Sequence, residues 1–535
     1  MQKISLLNSV IGPVMRGPSS SHAAGPHQIA RVIRQLSTSD GEGIRAATIR
    51  FHPKGSFAAV YENQGSDEGF AAGLLDVPIV DVGYREALGR VNAGLELQCT
   101  FEVTDTVLND HPNRVEIEVV VRDGAGMDRR DTFRAVSSGG GMFAVDGIGA
   151  ERLSIDGTKW FLVVEGHSFD TSRVLGVDGA LALDERGPGA IAQFSMQGEP
   201  TSETVRAIGM LDGVTRVRVS APTQLSVHSD AVLLTSSTDL IAGQIDLADQ
   251  ALRVESVRLG LSQKRVRLLF EERCALMMSS VTAGLEAPPS ADGMKYLEPS
   301  ARRVQSARVP VALDSDFLRR AMAAALAVME QNTNRGVVVA SPTAGSAGIV
   351  PGILYSLRCS GLPDSQLVDA LQVAALVGGV FAVNGGFAAE EGGCAVETGA
   401  SAAMAAGGLV SAMGGTPTEA FRAASLCLMN TLGLVCDPVA GEVEIPCHAR
   451  NIAGVAHAHA AAIAVMAGFD AVIDFDDMVK ATVEVGQKMH PDLLCTARGG
   501  CASCRVPTRV ERRGGPVPID LAHPRSLRES AMESR

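Results

Sequence analysis

Ala400-Ser401-Ala402-Ala403-Met404-Ala405-Ala406-Gly407-Gly408-Leu409-Val410-Ser411 is a run of small and apolar residues with no charged face. A helix of that composition has no side to turn to water, so the stretch predicts a helix buried all round. Segments of the same character recur at Phe317–Gln331, Ser365–Ala382, Thr418–Leu432 and Ile452–Met466, with turn residues between them. Aromatics are only 4% of the chain and glycine supplies 57 of 535 residues, so the packing must rest on close contact between small side chains. Residues 240–505 are therefore expected to form an all-α, Ala/Gly-rich domain. Leu247–Glu286 adds apolar residues at helical spacing, and Ala287–Val304 reads as a loop.

The chain ahead of this region is different in kind. A Gly/Ser loop at Gly17–Ser21 opens a helix through Gln28–Leu36. Ala46–Phe51 and Ser56–Tyr61 alternate like strands, as do Cys99–Val107 and Arg114–Arg122, joined by the turn Asn109–Asn113. Ser137–Gly141 reads as a tight glycine loop. Residues 1–150 are expected to be an α/β domain. Residues 151–225 form a smaller unit with strands at Trp160–Glu165 and Val214–Val219 and the amphipathic Thr201–Leu211 between them. Past Arg505 periodicity stops, and 506–535 is expected to be a loose tail. The class is α+β.

Charge and composition narrow the functions. There are 47 basic against 60 acidic residues, a net −13, which argues against nucleic acid as a partner. The best apolar run, around Leu371–Val383, stops at Asn384, short of the ~18 residues of a membrane span. The opening MQKISLLNSVIGPVM lacks a basic region followed by an apolar core and a cleavage site. A cytoplasmic protein without a membrane partner is expected. Of ten cysteines, only Cys99 and Cys274 precede residue 350. In a reducing compartment such clustering suggests metal or redox sites rather than disulfides. Cys274, Cys359 and Cys427 lie within helical patterns and are expected to be small buried hydrophobes.

Two constellations could carry chemistry. Gly17-Pro18-Ser19-Ser20-Ser21-His22 sits at a loop-to-helix junction. Successive hydroxyls and free backbone N–H groups make it either an anion receptor or a simple N-cap. Cys394, Cys436 and Cys447, spaced 42 and 11 apart, each stand beside glycine or proline, where thiolates are free to converge. Three thiolates are one short of the usual four of an iron–sulfur cluster, which would leave one iron open as a Lewis acid; zinc with three cysteines is the competing metal.

Ile11-Gly12-Pro13-Val14-Met15 running into Gly17–His22 resembles the start of the iron–sulfur-dependent L-serine dehydratase (L-serine ammonia-lyase) family. Ser341-Pro342-Thr343-Ala344-Gly345-Ser346-Ala347-Gly348 is similar to its second signature. Leu434-Val435-Cys436-Asp437-Pro438-Val439-Ala440-Gly441, continuing through Pro446-Cys447 to Arg450-Asn451, is similar to its third. The likeness spans roughly residues 3–505, in the β-then-α order of single-chain members.

The resemblance implies a [4Fe–4S] cluster on Cys394, Cys436 and Cys447. It implies a substrate carboxylate held by Ser19, Ser20, Ser21 and His22, and an amino acid enclosed by Ser341, Thr343 and Gly345. A small amino-acid substrate and a homodimer are expected, with L-serine dehydrated and deaminated to pyruvate and ammonia. Residues 158–220 resemble the ACT-like insert of some members, without the usual Asp-Arg-Pro-Gly turn. Some members close the cluster with a C-terminal cysteine; Cys504 comes nearest to that place, ahead of Cys495 and Cys501.

One departure affects the chemistry. Where the family carries a histidine proposed as the α-proton base, this chain has Gln64, in Asn63-Gln64-Gly65-Ser66-Asp67. An amide has no titratable group near neutral pH. The base is then expected among His22, His27 and His52. Otherwise the chain is a lyase for another β-substituted amino acid, or a non-catalytic iron–sulfur sensor. A second, smaller departure is Ala395, where a glutamine commonly follows the cysteine.

Overall fold

The structure is a computed structural model. It describes residues 4–512 except 40, 95, 124–125, 187–189, 230–233, 235, 244, 287–292, 311 and 314. It is mixed α+β, with the sheets in the N-terminal part and helices in the C-terminal part.

The first sheet has six strands in the order β3-β2-β4-β5-β6-β7. These are β2 (Gly43–Phe51), β3 (Gln98–Val103), β4 (Arg114–Arg122), β5 (Asp128–Gly139), β6 (Met142–Ile148) and β7 (Glu151–Ile155). Buried residues alternate along β4 and β5, and Val115, Ile117, Val119 and Val121 face the helix Gly25–Ser37 side of the sheet in one core with Ile29, Ile33 and Leu36. Two sequence expectations fail here. Cys99–Val107 and Arg114–Arg122 are not a hairpin: β2 lies between β3 and β4, parallel to the first and antiparallel to the second. Ser56–Val60 is a helix, because Phe57 and Val60, three apart, are both buried, and a strand would point them to opposite faces.

A second sheet, in the order β11-β8-β10-β9, comes from a β-α-β-β-α-β run. Its parts are β8 (Trp160–Gly166), the helix Thr171–Leu175, β9 (Ala182–Arg186), β10 (Ile191–Met196), the helix Ser202–Gly209 and β11 (Val214–Ser220). Arg218 ties it to the first sheet through two 2.9 Å bonds to Asp131.

In the helical part Thr398–Ala412 is the central helix, buried from Thr398 through Val410. Its glycines permit the contact: a Cβ on Gly407 would come within 2.8 Å of Val377, and one on Gly408 within 2.7 Å of the Ala370 carbonyl. The helix Asp364–Asn384 is, contrary to the sequence expectation, long and apolar enough to cross a membrane, but 83% of the relevant window is buried inside the protein. Leu247–Glu286 divides into two helices at Gly260, and the loop expected before Val304 ends in the short helix Ala301–Gln305. Cys274 and Cys427 are buried as expected; Cys359, at a helix C-terminus, is exposed.

The N-terminal segment belongs to the helical core. Leu6, Leu7, Val10 and Ile11 pack there, and the buried Glu255 carboxylate accepts from Ser5 Oγ, Leu6 N–H and Leu7 N–H. β1 (Val14–Arg16) then pairs antiparallel with β12 (Val337–Val339). The expected tail starts out docked: Arg509 N–H donates to the Lys295 carbonyl, and its guanidinium reaches Met294 O and Glu298. The rest of that tail lies outside the described residues.

Candidate active site and metal centre

The β1–β12 ribbon brings the Ser19–His22 loop onto the helical part. Pro18 O accepts from Asn332 Nδ2 at 2.7 Å, and Ser20 Oγ accepts from Ala344 N–H at 3.4 Å. Ser19 caps the following turn by accepting from His22 N–H at 3.2 Å, so the N-cap reading of this loop holds. The Ser21 hydroxyl is turned to side chains. Ser21 Oγ donates to Glu390 Oε1 at 2.6 Å and lies 2.9 Å from His22 Nδ1.

Opposite stand the cysteines. Gly393 precedes Cys394 with φ +68°, where a Cβ would sit 2.6 Å from the Leu434 carbonyl; only glycine lets these two loops meet. Cys436 is laid beside Leu494 by two backbone bonds of 2.8 Å, Cys436 N–H to Leu493 O and Cys495 N–H to Cys436 O. Cys447 opens the helix Cys447–Met466. Cys394, Cys436 and Cys495 share one small buried cluster. Ligand atoms of Cys394, Glu397 and Cys436 lie within 4.8 Å of one another.

One cavity joins the two walls. Ser19, Ser21, Gln64, Gly345, Glu390, Glu397, Cys436, Cys447 and Cys495 all line it. Larger cavities lie elsewhere, but none gathers thiols and carboxylates in this way.

The electrostatics favour a cation between the thiols. Cys394 is pushed down to about 6, first by the Cys436 thiol as hydrogen-bond donor and then by Arg450, whose Nη1 lies 3.2 Å from its sulfur. Arg450 is itself held by Asp437 at 2.6 Å and by the Val435 carbonyl at 2.7 Å. The same crowding pushes Cys436 and Cys447 up, the first through its sulfur neighbours and the second through burial. The Cys394 thiolate is stabilised while those of Cys436 and Cys447 are not, and Glu397 is likewise driven toward its neutral form by burial. Bound metal would remove that conflict, and soft thiolates suit iron or zinc. The donor set fits a thiolate-bound metal or cluster.

Not every expected site residue arrives. His52 accepts from Lys54 N–H at 3.1 Å and does not line the cavity; His27 is buried against the Val77 carbonyl at 2.8 Å and held down to about 4. Cys504 is exposed, its sulfur 4.0 Å from Gly500 O, because the turn Gly500–Ser503 carries it away. The third thiol lining the cavity, with Cys436 and Cys447, is Cys495. The sequence placed it behind Cys504 and did not single out Glu390, whose only local signal is its place just ahead of Cys394. Ser341 is fully buried with its hydroxyl unpartnered, and Thr343 lies 3.1 Å from Ser346. Gln64 donates to Gly441 O at 3.1 Å and to Cys495 Sγ at 3.4 Å.

The profile of the family described as "Serine dehydratase alpha chain" matches residues 207–502. The chain belongs to this family. The probable L-serine dehydratase alpha chain of Bacillus subtilis (strain 168) is 32% identical over 290 residues, covering 53% of this chain and 93% of that protein. The L-serine dehydratase alpha chain of Peptoniphilus asaccharolyticus is 34% identical over 270 residues, 50% of this chain and 92% of that one. The L-serine dehydratase of Streptomyces coelicolor aligns nearly end to end, 28% identical over 493 residues, 91% and 96% of the two chains. That alignment takes in the sheet-containing part as well.

Proposed function

We propose that this chain is an L-serine dehydratase, a lyase that converts L-serine or a close β-hydroxy amino acid to pyruvate or another 2-oxo acid and ammonia. The observation that carries the reading is convergence: Ser19, Ser21, Gly345 and the thiols of Cys436, Cys447 and Cys495, from distant parts of the sequence, line one cavity, and Cys394 packs against Cys436 and Cys495. Cys394, Cys436 and Cys447 would hold a [4Fe–4S] cluster, with Cys495 beside them. When bound, such a cluster supplies a Lewis-acid iron that makes hydroxide a better leaving group.

The chain's own residues do the rest. The Ser19–Ser21 loop receives the carboxylate, and the fully buried His22 stands behind it. Ser341, Thr343 and Gly345 close over the amino acid from the helical side, where the unpartnered Ser341 hydroxyl offers one more donor. Gln64 holds Cys495 and takes no proton. We assign the unit from Trp160 to Ser220, from its β-α-β-β-α-β order, to an ACT-like insert; Glu151–Ile155, expected within it, is the edge strand of the first sheet. A homodimer working in the cytoplasm on a free amino acid, with no nucleic acid or membrane partner, completes the reading.

The test is product analysis on protein reconstituted with iron and sulfide without oxygen. L-serine should release pyruvate and ammonia in equal amounts, faster than threonine, cysteine or β-substituted alanines. A preference for another β-substituent would move the assignment to a different lyase. Binding without turnover of any of them would leave a sensor.

A further inference from the structure

The serine-deaminating reading leaves the α-proton without an acceptor, since Gln64 stands where a basic ring is expected. The proton count around His22 bears on this. Ser56 has one hydroxyl proton, and it goes to the Cys495 carbonyl at 3.0 Å, which can only accept. The 3.1 Å contact between His22 Nε2 and Ser56 Oγ is then a donation from the ring. Burial lowers the proton affinity of this imidazole, so its single proton sits on Nε2 and Nδ1 is an acceptor. The Ser21 proton goes to Glu390, so the hydroxyl left to donate to Nδ1 is that of Ser19, at 3.4 Å, and the 3.2 Å approach of Nδ1 to Glu390 Oε1 is between two acceptors.

Glu390 is thereby fixed by one oxygen only. Oε1 accepts from Ser21 at 2.6 Å. Oε2 has no hydrogen-bond partner among the described residues, although the side chain is only 2% exposed and lines the cavity. An unpaired buried carboxylate oxygen is costly unless something occupies it during function. The other carboxylate of the cavity, Glu397, is engaged by Thr343 and lies 3.9 Å from Cys394 Sγ.

We propose that Glu390 Oε2 is the base that takes the α-proton of the substrate, with Ser21 as its positioning residue. The Cα–H bond breaks, its proton goes to Oε2, and its electron pair forms the Cα–Cβ double bond as the Cβ–O bond breaks. Hydroxide leaves and becomes water by taking one proton, so Glu390 returns to its carboxylate. The aminoacrylate tautomerises to the imine, and one water adds to give the 2-oxo acid and ammonia. The assignment rests on the reaction proposed above, and the two fail differently.

The test compares reconstituted wild type with Glu390→Gln, which keeps an oxygen for Ser21 to donate to. Cluster absorbance, kcat and KM for L-serine, and the isotope effect with serine deuterated at Cα are measured. The variant should keep its absorbance and KM, lose about 10²–10⁴-fold in kcat, and show a larger isotope effect than wild type. Wild-type kcat in the variant overturns the assignment. So does a rise in KM at unchanged kcat, which would make Glu390 a binding residue. Loss of cluster absorbance would make it a structural one and overturn it equally. If wild type itself releases no pyruvate, the reaction falls and the assignment with it.

Discussion

Gln64 donates its side-chain N–H to the sulfur of Cys495 across 3.4 Å, joining two residues 431 positions apart in the sequence. The glutamine, which has no titratable group to offer, has an occupation of its own as a donor to one of the thiols lining the cavity. N–H donors to a metal-bound sulfur tune its basicity and potential.

Replacing that thiol should be visible in the metal centre. In anaerobically reconstituted protein, Cys495→Ala should weaken iron retention by at least the roughly 10-fold that loss of a supporting partner costs, and shorten the lifetime of the visible absorbance in air. Cys504→Ser should match wild type in both. Equal behaviour of the two variants would remove Cys495 from the centre.

Arg450 is the cation that holds the thiol loop together. Arg450→Met should lose most bound iron, because Cys394 loses its donor and Asp437, 3% exposed, is left without its partner. A buried charge stripped of its mate costs about 3–5 kcal/mol. Iron per chain and urea denaturation of the metal-free protein measure the two effects separately.

Gly393→Ala should be a metal-site defect that looks like a backbone defect. The residue sits at φ +68°, and the added methyl would press on Leu434 O at 2.6 Å. The strain is worth about 1–3 kcal/mol and pushes Cys394 away from Cys436. Iron content should fall further than that of an alanine variant at Gly89, where a Cβ meets nothing.

Asp67 gives a pH signature away from the metal. Burial pushes its carboxyl up from 3.8 to about 7. Between those values the native state holds a proton that the unfolded chain has released, so stability falls as pH rises from about 4 to 7. Asp67→Asn should remove that slope, gaining on the order of 2–4 kcal/mol over wild type by pH 7 and nothing near pH 4. His27, held down to about 4, works in the opposite sense over part of the window, and cancels in the comparison. Melting temperatures of both proteins from pH 4 to 8 decide it.

The long helices were legible in the sequence because each carries its own reason for being buried: Ala400–Ser411 has no face for water. The matched motifs likewise named Cys394, Cys436 and Cys447. What was not legible depends on distant partners. The order β3-β2-β4 cannot be read from three alternating runs, since nothing local in Gln98–Val103 says which neighbour it pairs with. Cys495 and Cys504 look alike in a glycine-rich stretch. They differ only because the Cys436 backbone pairs beside the first, while the turn after Gly500 sends the second into solvent.

The splice of the N-terminal segment into the helical part bears on how the polypeptide could be divided. Leu6, Leu7 and Val10 fill the helical core, and Val14–Arg16 pairs with Val337–Val339, so the first strand and its partner lie on opposite sides of any cut made after β11. A fragment beginning past that cut would carry an empty apolar slot and an uncovered strand edge, both invitations to aggregate. Produced together, the two fragments would have every reason to find each other, since each holds half of a ribbon the other needs. The covalent connection near residue 225 is then the expendable join in this molecule, and strand exchange at Val14–Arg16 is the indispensable one.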